Sequence, residues 1–73
     1  GPYYVSAIDA GEYHLMAGPY AMHQDAINAV DLVRKISEDA DRTGRAQWMA
    51  WGTCRMPADC ARIGQLNKFG LLP

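Results

Sequence analysis

The sequence predicts an α+β domain of order β-β-α-β: a three-stranded antiparallel sheet, one amphipathic helix packed on one face, and a short helical or irregular C-terminal tail. Three observations carry that reading. Tyr3–Ile8 (YYVSAI) is aromatic and β-branched and runs into a glycine turn and a second short apolar run. From Asp25 onward, apolar residues recur at helical spacing. A third aromatic-rich run then precedes Pro57. A helix with one apolar stripe and a sheet with one apolar face bury both by stacking as two layers.

Tyr3–Ile8 is the first strand. In "DAGE" at 9–12, Asp9 can bond its own backbone and Gly11 takes a positive φ without a Cβ penalty, so the chain turns there. Tyr13–Ala17 (YHLMA) is the return strand, and strict alternation places Tyr13, Leu15 and Ala17 on one face and His14 and Met16 on the other. Gly18-Pro19 is expected to end it, since proline donates nothing to a ladder.

The helix stripe is Ala26, Ala29, Val30, Val33, Ile36 and Ala40, with Asn28, Asp31, Arg34, Lys35 and Glu38 on the opposite arc. Asp31 precedes Lys35 by one turn, the favourable orientation for an ion pair. Glu38, Asp39 and Asp41 crowd the end where the macrodipole disfavours acids. "RTGR" at 42–45 closes the helix, with Gly44 suited to a left-handed C-terminal position. Ala46–Thr53 (AQWMAWGT) reads as the third strand, Gln47, Met49 and Trp51 on one face and Trp48 and Ala50 on the other, with helical pairing of Trp48 and Trp51 as the competing reading. After Pro57, a favoured first helical residue, "ADCARIGQL" suits one or two helical turns. Phe69, Leu71 and Leu72 in the tail then need something to pack on.

Seventy-three residues, 49% of them hydrophobic, make one small globular domain rather than a disordered chain. Gly1-Pro2 reads as the remnant of a cleaved purification tag, leaving 3–73 as the domain. No apolar run reaches the roughly 18 residues of a membrane helix, so a cytoplasmic protein with no membrane partner is expected. The net charge of −1 conceals an uneven distribution. Residues 1–41 hold seven acids against Arg34 and Lys35, whereas residues 42–73 hold Arg42, Arg45, Arg55, Arg62 and Lys68 against Asp59 alone. Charged halves of this kind either neutralise each other on folding or steer partners.

Enzyme chemistry finds no constellation. The cysteines stand as Cys54-x5-Cys60, too far apart for a zinc knuckle or a redox dithiol motif, and His14 and His23 are the only histidines. We therefore read "GTCRMPADC" as a strand end, a turn at Pro57 and the start of a short helix, with Arg55 exposed, Cys54 packed at the strand end and Cys60 on the helix. A nucleophilic cysteine needs a base and an orienting group, and the sequence singles out neither. The glycines are isolated, so no loop cradles phosphate, and neither a cofactor nor a metal is expected.

The runs "YYVSAIDAGEYHLMAGPYAMHQDAINAVDLVRK" and "WGTCRMP" resemble small orphan reading frames carried by bacterial phages and integrating plasmids, which combine a strand, a GP-aromatic turn, an A-x3-V helix and a GTCR-type ending. The resemblance covers roughly residues 3–57. It implies a mobile-element accessory protein. Among such proteins, the anti-CRISPR inhibitors are the class that acts as single motif-free domains through surface binding. No residue roles transfer, because that class shares no motif.

The leading expectation is thus a non-enzymatic inhibitor that binds a host protein complex, such as a CRISPR–Cas effector, through Asp31, Glu38, Asp39 and Asp41 with Trp51 as an aromatic anchor. The alternative is a small nucleic-acid-binding or regulatory protein using Arg42, Arg45, Arg55, Arg62 and Lys68. A homodimer, with the aromatic sheet face around Trp48 and Trp51 as its seam, is compatible with the first.

Overall fold

The hairpin turn is tighter than its one glycine suggests. In the computed structural model, which describes residues 1–73, Ala10 and Gly11 both have positive φ (51° and 84°), as a two-residue hairpin loop requires. The turn joins β1 (Tyr3–Asp9) to β2 (Glu12–Tyr20). Next come α1 (His23–Ala40), a 3-10 turn (Arg45–Trp48), β3 (Ala50–Arg55) and α2 (Gln65–Lys68). The three strands are antiparallel in the order β2-β1-β3. β1 is central, and Tyr4, Val5, Ser6 and Ala7 are all buried because both faces of this strand are covered.

Residues paired across a ladder share a face. Val5 pairs with Ala17 and Thr53, and Ala7 pairs with Trp51, so these side chains face α1. Tyr4 pairs with Cys54, and Ser6 pairs with Leu15 and Gly52, on the opposite face. One step along β1, from Val5 to Ser6, therefore corresponds to two along β2, from Ala17 to Leu15. Met16 is the extra residue of a β-bulge. Tyr13, Leu15 and Ala17 accordingly do not share a face as alternation predicts: the bulge turns Ala17 onto the helix side.

Nor does β2 stop at Gly18-Pro19. It runs on to Tyr20, opposite Tyr3, with a second irregularity in the ladder and a cis Gly18-Pro19 peptide. Proline is accommodated because β2 is an edge strand. The C-terminal segment caps this edge. The Gly18 amide donates to Asn67 Oδ1 at 2.8 Å, and the Gly18 carbonyl accepts from the Gly64 amide at 2.9 Å. Gly64 lies so close to Ala17 that a Cβ there would overlap its backbone.

α1 begins two residues before Asp25 and buries Ala26, Val33 and Ser37. Ala40, expected on the stripe, is exposed; Ser37, one turn after Val33, occupies the buried position instead. Val5, Ala17 and Val33 form the core with Leu66 from α2, and Trp51 and Leu72 pack at its margin.

Two further expectations are corrected. Residues 46–49 are not strand. The Asp41 carboxylate accepts from the Thr43 hydroxyl (2.6 Å), the Thr43 amide (2.9 Å) and the Ala46 amide (2.7 Å), and so folds the chain into a turn before β3. Gly44 has its left-handed φ of 77°, but it opens this 3-10 turn; α1 ends earlier, where the Asp41 amide bonds the Ser37 carbonyl. Pro57 starts no helix. Residues 57–60 form a turn closed by the Cys60 amide and the Pro57 carbonyl at 2.9 Å, and Cys60–Ile63 run on without helix before α2. This segment is a strap. It crosses the face opposite α1, where the Tyr4 hydroxyl donates to the Arg62 carbonyl at 2.7 Å, rounds the β2 edge at Gly64 and plugs Leu66 into the core on the helix side. No helix is long and apolar enough to cross a membrane.

Candidate functional site

The helix acids are largely engaged with neighbours. Glu38 Oε1 lies 3.3 Å from Arg34 Nε, and Asp39 Oδ2 lies 3.2 Å from Lys35 Nζ, both one turn apart on the exposed arc of α1. Lys35 thus pairs with Asp39 rather than with Asp31, the partner its spacing first suggests; Asp31 is exposed on the same arc. Such surface pairs contribute about 0.3–0.5 kcal/mol each. Asp41 serves the loop. Its hydrogen bonds from the Thr43 hydroxyl and the Ala46 and Thr43 amides hold its carboxyl below the usual range.

The two tryptophans have opposite surroundings. Trp51 is half-buried against the core, and its indole Nε1 donates to the Ala46 carbonyl at 3.1 Å, tying β3 to the 3-10 turn. Trp48 is 86% exposed at the end of that turn. Of the five residues expected to meet a partner, Asp31, Glu38 and Asp39 therefore share the outer arc of α1, and Asp41 and Trp51 hold the adjoining loop in place.

Among the basic residues, Arg45 bonds Asp9 at 2.7 Å, the one ion pair that joins the two halves of the chain. Arg42, Arg55, Arg62 and Lys68 are in no ion pair. The Arg55 guanidinium lies 5.4 Å from the centre of the Tyr3 ring, which itself stacks on His23 with centroids 4.8 Å apart. His23 Nε2 is 2.9 Å from Thr53 Oγ1, so β1, β3 and the start of α1 meet in one polar aromatic cluster. The Tyr3–Arg55 pairing depends on strand register, which leaves no mark in the sequence.

Both cysteines are free thiols and half-buried. Cys60 lies on the strap, its Sγ 3.5 Å from the Tyr4 hydroxyl. That hydroxyl and the Arg62 amide hold the Cys60 thiol below its usual range, whereas burial pushes Cys54 up. Tyr4 is pushed up to about 12, chiefly by the neighbouring thiol and then by burial. The first proton to leave this pair is the thiol's. No three His, Cys, Asp or Glu side chains are grouped to hold a metal ion.

A cavity of about 320 Å³ opens on the helix side, where the end of α1, β2, the 3-10 turn and α2 converge. Met16, Met49, Leu66 and Phe69 supply apolar walls, and His14 and Ser37 are among its polar residues. Ser37 is only 6% exposed, and its Oγ has no hydrogen-bond partner in the protein. At the rim Phe69 is 71% exposed, and Trp48 projects from the turn whose Ala46 and Met49 line the same cavity. Sequence reading missed this cavity because its walls come from four separate segments. The spacing of Ser37 from Val33 was the one available signal. Compared with known proteins, the chain matches no family model, no curated protein and no solved structure.

Proposed function

We propose that this protein is a non-enzymatic inhibitor from a bacterial mobile element, which binds a host defence complex, a CRISPR–Cas effector, and blocks it by occupying its surface. The observation that carries the binding role is two large aromatic side chains left exposed on a 73-residue domain, Phe69 at the cavity and Trp48 on the turn that forms one of its walls. Exposed aromatics beside a concavity are what a protein interface buries at its centre, and tryptophan is enriched among residues that dominate binding energy. Asp31, Glu38 and Asp39 on the outer arc of α1, the last two paired with Arg34 and Lys35, supply the polar rim of that interface. The choice of a defence complex rests on the sequence resemblance to phage and plasmid proteins.

A tagged copy used as bait in a nuclease-treated bacterial lysate tests the reading. Stoichiometric recovery of a multi-subunit nuclease complex supports it. Retention of nucleic acid alone, lost on nuclease treatment, refutes it in favour of a second reading. That reading has an observation of its own: Arg42, Arg55, Arg62 and Lys68 are free of ion pairs, and Arg55 lies over the Tyr3 ring, which stacks on His23. It predicts nucleic-acid affinity that falls steeply with salt.

A further inference from the structure

The two edges of the sheet differ in how they are protected. The β2 edge carries a bulge and a proline, and the C-terminal segment caps it through Asn67 and Gly64, which engage the Gly18 amide and carbonyl. Bulges, prolines and covering segments keep a sheet edge from pairing with another chain. The β3 edge has none of them. Its ladder with β1 keeps one unbroken register from Tyr3–Arg55 to Ile8–Ala50. The strand contains neither proline nor lysine, and none of its six residues is buried.

In an antiparallel pair, alternate residues bond the neighbouring strand and those between direct their backbone groups away from it. The Met56 amide donates to the Pro2 carbonyl at 2.9 Å, which fixes the phase: Ala50, Gly52 and Cys54 bond β1, and Trp51, Thr53 and Arg55 present their amides and carbonyls outward. No other strand lies beyond β3, and those groups have no partner in the chain. On the face opposite α1, nothing stands within 4 Å of where a Gly52 side chain would begin, so an approaching strand meets no obstruction there.

We infer that β3 pairs antiparallel with β3 of a second copy of this chain, about a two-fold axis at Thr53, joining two three-stranded sheets into one. This register places Thr53 opposite Thr53, and Trp51 opposite Arg55 of the other copy, so every outward amide and carbonyl is bonded. A shift of two residues one way sets Arg55 opposite Met49, whose amide is already bonded to the Ala46 carbonyl. The same shift the other way sets Trp51 opposite Pro57, which has no amide. The side chains agree with the backbone. Arg55 already lies over Tyr3, and the pairing brings Trp51 of the second copy to its other side, giving the guanidinium an aromatic neighbour on each flank. No like charges meet across the axis. This self-complementarity selects a second copy over a foreign strand, and it places the dimer seam at the β3 edge rather than on the aromatic sheet face. The inference does not depend on the inhibitor reading.

Sedimentation velocity on the full chain, from about 10 μM to about 1 mM, tests it. The short interface should give a dimer with a Kd on the order of 100 μM. Amide exchange at the upper concentration should then slow about fivefold at Trp51, Thr53 and Arg55, the share of chain left monomeric being about one fifth. Ala50, Gly52 and Cys54, already bonded to β1, should not respond to concentration. Thr53→Pro removes an amide that bonds nothing in the monomer, at an edge position that accepts proline, and should weaken the dimer about thirtyfold. Gly52→Lys keeps every amide and sets like charges near each other across the axis; it should weaken the dimer about tenfold and serves if Thr53→Pro does not fold. A chain still monomeric at the upper concentration, a dimer whose protection falls on other residues, or undiminished association in the folded variants would each overturn the inference. Protection of the same three amides only on adding a captured complex would give the edge to a foreign strand and overturn self-pairing.

Discussion

Leu66→Ala isolates the energetic role of the C-terminal strap. Leu66 is 5% exposed and meets Val5, Ala17 and Val33, so truncation removes a fully packed side chain and leaves a hole between the sheet and α1. Losses for buried leucine truncation run about 2–5 kcal/mol, and about 3 kcal/mol is reasonable where one wall is a short C-terminal segment able to relax inward. A 73-residue domain has roughly 4–11 kcal/mol in total, so this one change removes a large share. It corresponds to a drop in Tm of about 12–24 °C. α2 has only four residues and cannot persist without its packing. The bonds from Gly64 to Gly18 and from Tyr4 to Arg62 should therefore loosen together. Urea unfolding followed by circular dichroism and by the half-buried Trp51 measures the first effect, and amide exchange at Gly64 measures the second. Phe69→Ala, three residues away but exposed, should cost no more than about 0.5 kcal/mol. An unmoved midpoint in Leu66→Ala, or equal losses in the two variants, would refute the strap as a core element.

Two other predictions concern the hairpin and the Tyr4 pair. Ala10 carries a φ of 51°, so Ala10→Asn, which makes the favoured Asn-Gly hairpin loop with Gly11, should stabilise the fold by about 1 kcal/mol in thermal unfolding; a loss would contradict the turn geometry. Tyr4 rises from its ordinary 10.0 to about 12, so the folded state holds the phenol proton more tightly than the unfolded chain. Its contribution is fully present below about pH 10 and is lost as pH rises from there through about 12. Tyr20, raised by burial and then by Asp25, acts in the same direction. Stability measured across this window should decline with pH, and Tyr4→Phe should flatten the decline; an unchanged slope in that variant would show that Tyr4 is not the group responsible.

The fold was legible where chemistry is local. Aromatic and β-branched content marks β1, because such side chains fit a pleated surface, and the spacing of Ala26, Val30 and Val33 marks α1, because that period is a property of the helical backbone. What escaped was set by groups distant in the sequence or by register. The Met16 bulge changes which face Ala17 occupies without any unusual residue at the site. Aromatic residues at 48 and 51 favoured a continuous strand, but the Asp41 carboxylate, reaching to the Ala46 amide, bends the chain first. Trp51, expected as an anchor for a partner, is thereby half-buried against the core, and Trp48 is exposed. The strap depends on Gly64 meeting Ala17, a close approach that a lone glycine does not announce. Asp31, Glu38 and Asp39 lie on the outer arc of α1 as the helical period requires, and the one-turn spacing of Arg34 to Glu38 and Lys35 to Asp39 already permitted the ion pairs that engage the last two. The cavity was beyond reach, since four segments build it.

The proposed function stands or falls on the exposed aromatic pair. The most direct measurement compares the wild-type chain with a Trp48→Ser, Phe69→Ser double variant as bait in the same nuclease-treated lysate, after circular dichroism has shown equal folding. Both side chains are exposed, so the variant should fold normally and lose the captured complex, by a hundredfold or more if each residue contributes about 2 kcal/mol. Undiminished capture by the folded double variant would contradict the account and return the binding surface to the helix arc or the unpaired arginines.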